Sequence, residues 1–119
     1  MGCRGDGRWL VSHWLYEAII TKVYDADTIT VDLDMGMRIW QKGVSVRLAG
    51  VNAPELSTPE GKVARVAVLL VAPLGSRVRV ISHRFEKYGR LLGVIVLGSG
   101  GSLNEWLLEN GYAVGMEEV

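Results

Sequence analysis

A single cysteine, Cys3, stands in 119 residues. One thiol excludes an internal disulfide and any multi-cysteine zinc site, and no disulfide-linked partner is expected. Aromatic residues make up only 8% of the chain, with one phenylalanine, and there are three prolines. No apolar run approaches the roughly 18 residues that a membrane-spanning helix needs, so neither a transmembrane helix nor a membrane partner is expected. Arg8 and His13 interrupt the short apolar segment around Trp9–Leu15, which leaves no signal-type stretch and makes a cytoplasmic address the expectation. Repeats and low-complexity linkers are absent as well. What is there, 49% hydrophobic and 22% charged residues in 119, suits one globular domain and excludes disordered, collagen-like and coiled-coil chains.

Charge of one sign is lacking too, since 13 basic and 13 acidic residues cancel. Their distribution is uneven. Residues 1–37 hold three Lys/Arg and six Asp/Glu, residues 38–90 hold ten and three, and residues 91–119 hold none and four. The basic middle is compatible with a polyanion-binding face and equally with solvated strand faces.

Thr28–Asp34 alternates with Ile29, Val31 and Leu33 on one face, and Val44–Leu48 with Val44, Val46 and Leu48, leaving Arg47 on the other. Both patterns predict half-buried antiparallel strands. Glu17–Tyr24, Arg38–Gln41, Arg77–Ser82 and Leu91–Leu97 supply further strand material, with Gly36 and Gly43 read as turns. Ser57 with Glu60 forms a capping box around Pro59 and predicts a helix with Val63, Val66, Ala67 and Leu70 on its apolar side. Ser102 with Glu105 predicts a second helix, carrying Leu103, Trp106, Leu107 and Leu108 and closed by Gly111. The fold class is therefore mainly β with helices (α+β). It is an OB-fold, a five-stranded β-barrel with a helix after the third strand and a C-terminal helix. Residues 1–16 read as an N-terminal extension and 17–119 as the domain.

Four stretches concentrate polar chemistry: Asp25-Ala-Asp-Thr28, Arg47 through Glu55, Lys87-Tyr-Gly-Arg90 and Asn104-Glu105. Each alone has a bland reading as a turn, hairpin tip or helix cap, and His13 and His83 have no partner motif. Together they supply what phosphodiester cleavage requires. Carboxylate and carbonyl oxygens suit a hard divalent cation, guanidinium groups suit charge developing on a phosphorane, and a carboxylate can orient water. Asp27 and Asn52-Ala53 offer the oxygens, Arg47 and Arg90 the guanidiniums, and Glu55 the carboxylate.

In Val23–Thr28, Val46–Glu55, Lys87–Arg90 and Leu103–Ala113 the sequence resembles the staphylococcal nuclease (thermonuclease-like) family, over about residues 17–114 and in that family's order. The resemblance implies a calcium-dependent, sugar-non-specific endonuclease acting on DNA and RNA, with single strands preferred. By it, Asp27, Asn52 and the Ala53 carbonyl correspond to metal ligands. Arg47, Glu55 and Arg90 correspond to catalytic residues, and Arg47, Arg90, Lys87 and Tyr88 to substrate-binding ones. Asn52 departs from the family's usual aspartate, which implies weaker calcium binding. Glu86 replaces an aspartate before Lys87. No counterpart of the family's terminal helix is expected after Gly111, and the Trp9–Leu15 segment is expected to cover part of the surface that helix would bury. The alternative is a catalytically weak or silent module that binds nucleic acid or a protein partner.

Overall fold

The computed structural model describes residues 14–85 and 89–115. The chain runs β1 (Trp14–Asp25), β2 (Thr28–Asp34), β3 (Trp40–Leu48), β4 (Val51–Asn52), α1 (Pro59–Val71), β5 (Arg77–Phe85), β6 (Leu91–Val96), α2 (Leu103–Glu109) and β7 (Val114–Gly115). Five strands close into a barrel in the order β1-β2-β3-β6-β5, and β4 pairs with β7 in a separate two-stranded ribbon. This is the α+β barrel of the OB type that the strand and helix order predicts. All barrel pairings are antiparallel except β3 with β6, where Val46, Arg47 and Leu48 face Leu91, Leu92 and Gly93 in parallel register.

Alternation decides which side chains fill the barrel. Ile29 and Val31 of β2 and Val46 and Leu48 of β3 are wholly buried, together with Ile20, Val80 and Ile95, and α2 contributes Leu103 and Leu107. Each such side chain adds about 1.5–3 kcal/mol of burial. Asn104, beside Leu103, is buried for a polar reason. Its side-chain amide donates to the Ala49 carbonyl (2.8 Å) and the Gly93 carbonyl (3.3 Å), and its oxygen accepts from the Ile95 amide (3.2 Å). One side chain thus ties α2 to β6 and to the segment leaving β3.

Three local expectations are corrected. Gly43 does not end a strand. At φ 67° it bulges within β3, donating its amide to Asp32 Oδ1 at 2.9 Å where the β2–β3 register shifts. The N-cap of α1 is Thr58 rather than Ser57. Thr58 accepts from the Gly61 amide and Pro59 takes the first helical position, where its missing N–H and fixed φ suit it. The buried face of α1 is also different. Val63, Val66 and Leu70 are 58%, 54% and 77% exposed, whereas Gly61, Ala64, Ala67 and Val68 are buried. The small residues face inward because α1 packs closely on β1, and Arg65 Nε fixes it there by donating to the Val23 carbonyl at 2.8 Å. The cap of α2 is as expected, with Ser102 accepting from the Glu105 amide at 3.0 Å and Gly111, at φ 75°, following the last turn.

Candidate active site

The site gathers where β1 turns into β2 beside the end of β3. Asp27 lies in the short turn between Asp25 and Thr28, which are themselves paired. Thr28 is in register with Arg47, and the Leu48 amide donates to the Asp27 carbonyl at 2.9 Å. That ladder brings the Arg47 guanidinium to the Asp27 carboxylate, Nη2 to Oδ2 at 3.6 Å, with the two side chains only 12% and 9% exposed. Arg47 Nη1 donates to the Leu48 carbonyl at 2.8 Å, so the fork is oriented from two sides. Asp27 has further partners, accepting from the Ala53 amide (Oδ2, 2.9 Å) and from the Thr28 hydroxyl (Oδ1, 3.2 Å). The bond from Ala53 anchors the loop that leaves β4 to the turn of β1–β2.

Glu55 stands two residues beyond Ala53, with its side chain exposed. Its main-chain carbonyl accepts from both the amide (3.0 Å) and the hydroxyl (2.7 Å) of Thr58, which fastens it to the cap of α1. Arg90 immediately precedes β6, in which Leu92 is the register partner of Arg47. Arg90 therefore stands just ahead of the strand beside Arg47, two residues short of its register partner, about 6–7 Å in that direction.

Asp25 is the residue that sequence reasoning left out of the site. Its Oδ1 is buried with no hydrogen-bond partner. Burial raises its pKa above the usual carboxylate value, and the charges of Asp27 and Glu55 raise it further, against Arg47 and a hydrogen bond from the Leu56 amide. Asp25, Asp27, Glu55 and Arg47 thus share one electrostatic neighbourhood, as functional carboxylate clusters commonly do. The signal lay in the two-residue spacing of Asp25 and Asp27, which reads as an ordinary turn until the fold brings Glu55 toward it.

Asn52 is exposed in β4, paired with Val114, one residue before the Ala53 amide that meets Asp27. Lys87 and Tyr88, expected to bind substrate, lie outside the described residues, as do Glu86 and residues 9–13 of the Trp9–Leu15 segment. Among the described residues no three His, Cys, Asp or Glu side chains are grouped so as to hold a metal by themselves. Oxygen donors of the kind a hard cation prefers are nevertheless close together: the Asp25 and Asp27 carboxylates, one with an orphaned buried oxygen, and the Asn52–Ala53 segment. The donor set fits a calcium-like ion and excludes nothing softer by charge alone, but it contains no thiolate or imidazole.

A closed five-stranded barrel whose rim carries two aspartates, a largely buried arginine and an exposed glutamate defines a recognisable class of domain. Residues 45–119 match the family described as staphylococcal nuclease homologue, and the chain belongs to that family. It is 33% identical over 111 residues to Endonuclease YhcR of Bacillus subtilis, an alignment covering 82% of this chain and 9% of that protein. It is 33% identical over 95 residues to an uncharacterized endonuclease of Escherichia coli O157:H7, covering 79% and 57% respectively. Against the probable staphylococcal-like nuclease CAN1 of rice, Oryza sativa subsp. japonica, identity is 32% over 91 residues, 76% of this chain and 27% of the other. The chain thus spans from about a tenth to a little over half the length of these relatives.

Proposed function

We propose that this chain is a calcium-dependent endonuclease that hydrolyses phosphodiester bonds of DNA and RNA without regard to the sugar, with single strands preferred and a cytoplasmic site of action. The family and the nuclease names of its relatives support a nuclease. The observation that carries the reading is the corner in which Asp27 and Arg47 meet with Asp25 and Glu55 in the same field. Arg47, oriented by Leu48 and Asp27, presents a planar guanidinium to a phosphate, and Arg90, just before the adjoining strand, supplies a second, so that charge developing on the phosphorane meets fixed donors. Glu55 accepts the proton of, or orients, the attacking water. Lys87 and Tyr88 add contacts to the substrate.

Asp27, Asn52 and the Ala53 carbonyl would hold calcium, with Asp25 behind them. A bound divalent cation supplies electrostatic stabilisation of a phosphoryl oxygen. Because contacts to phosphates dominate, binding should weaken steeply with salt and show little base preference.

Digestion of a single-stranded DNA oligonucleotide across a calcium titration, with chelator and Glu55→Ala as controls, tests this. Cleavage that requires calcium and disappears in Glu55→Ala is expected. Oligonucleotide binding without cleavage at millimolar calcium would overturn it in favour of a silent binding module. The neutral, exposed Asn52 is the observation that favours that second reading.

A further inference from the structure

We infer that Gly61, in the first turn of α1, is a positioning residue for Glu55, an assignment that rests on the nuclease reading above. The peptide joining Glu55 to Leu56 is gripped on two sides. Its carbonyl accepts from the amide and hydroxyl of Thr58 at 3.0 and 2.7 Å. On the other side lies Gly61, buried, whose own amide donates to the Thr58 hydroxyl at 3.0 Å. A Cβ at Gly61 would overlap the Glu55 carbonyl oxygen and sit 2.5 Å from its carbonyl carbon and 3.0 Å from the Leu56 nitrogen. Only a residue without a side chain lets the helix approach this peptide so closely. Its φ is unexceptional, so the requirement is for space and not for a left-handed backbone.

Carbon–carbon contacts are comfortable at about 3.5–4.0 Å, so a methyl group at Gly61 requires the peptide and the helix to separate by roughly 1 Å. The helix is the stiffer side. Ala64, three residues on, is buried against the barrel, and Arg65 is bonded to the Val23 carbonyl. The loop carrying the exposed Glu55 is the softer side and takes up the displacement. The carboxylate then shifts from the place where its charge acts on Asp25, while Arg47, carried by β3, and Arg90, just before β6, stay where they are. A shift of about 1 Å in a group that orients a reactant is worth up to about 10²-fold in rate.

The test is steady-state cleavage of a single-stranded DNA oligonucleotide in calcium by wild type, Gly61→Ala, Glu55→Gln and the double variant, with folding checked by circular dichroism. Gly61→Ala should lower kcat by about 30- to 100-fold and leave KM within about threefold, while in the Glu55→Gln background it should change kcat by less than about threefold. Oligonucleotide affinity in chelator should be unchanged. If Gly61→Ala does not fold, the pair Thr58→Val and Thr58→Ser decides. The valine variant should lose kcat only when Glu55 is present, and the serine variant, which keeps the hydroxyl bridge, should retain it. Undiminished kcat in Gly61→Ala, or an equal loss in the Glu55→Gln background, overturns the assignment while leaving the nuclease reading intact. No cleavage by wild type overturns the nuclease reading and this one with it.

Discussion

Asp27 and Arg47 are held by the barrel, through strand register, burial and a chain of hydrogen bonds that runs from Thr28 to Ala53. Glu55 belongs to a loop, held by a two-residue strand on one side and a helix cap on the other, with its carboxylate in water. The first half is structure and chemistry at once, because removing either partner leaves a buried charge. In the second half the two are separable, since an exposed carboxylate contributes little to folding whatever it does for a substrate. A site built this way keeps its charge-stabilising group rigid and leaves its water-orienting group adjustable.

The largest expected effect follows from breaking the first half. Asp27→Ala strands the Arg47 guanidinium and the Ala53 amide, and should destabilise the fold by about 3 kcal/mol, a fall in Tm of roughly 10 °C by thermal melting. A change within experimental error would show that the barrel does not depend on this pair. Glu55→Gln should do the reverse, reducing cleavage by about 10²–10⁴-fold while unfolding free energy measured in urea stays within about 0.5 kcal/mol. A large loss of stability there would erase the distinction between the halves. Asn52→Asp sharpens it from the loop side. By restoring a negative charge at an exposed position it should tighten calcium binding about tenfold in calorimetry, and equal or weaker binding would show that Asn52 does not face the ion.

The smallest effect concerns Asp25. Its folded-state pKa lies above the unfolded value, so the native chain holds the extra proton more tightly. Ionised Asp25 therefore detracts from stability at pH 7, and acidification through its raised pKa toward the unfolded value relieves this. Asp25→Asn should accordingly raise Tm at pH 7 in chelator, with a gain that shrinks as pH falls through the raised folded pKa and levels off below the unfolded value of 3.8. A lowered Tm at pH 7 would mean that the carboxylate is stabilised by partners beyond Arg47 and Leu56.

The barrel-held half was the more legible in the sequence for a related reason. Strict alternation in Thr28–Asp34 and Val44–Leu48 fixes which residues enter the core, and that places Arg47 outside it before any coordinates are known. The loop-held half depends on contacts between segments too short to carry a period, such as β4 and β7 of two residues each. Hydrophobicity misleads at α1, because Val63, Val66 and Leu70 are more apolar than Gly61, Ala64 and Ala67, yet close approach to β1 selects small residues. Pro59 did carry a usable signal, since proline at the first helical position makes the preceding Thr58 the cap. Nothing local marks Asp25 as different from any aspartate in a turn. Its distinction comes from burial in the folded chain first, and then from the charges of neighbouring Asp27 and of Glu55, thirty residues later.

The parallel pairing of β3 with β6 also sets a schedule for synthesis. Val46 cannot meet Leu91 until the second half of the chain has left the ribosome, so β1, β2 and β3 emerge as an antiparallel meander whose β1 edge waits for β5 and whose β3 edge waits longest, for β6. Such an edge is a template for joining another chain, and closing it depends on contacts distant in sequence, which form slowly. A nascent chain halted before Leu91 would present the β3 margin unpaired, so the barrel is vulnerable to aggregation during its making and becomes safe only when its sixth strand slides in beside the third.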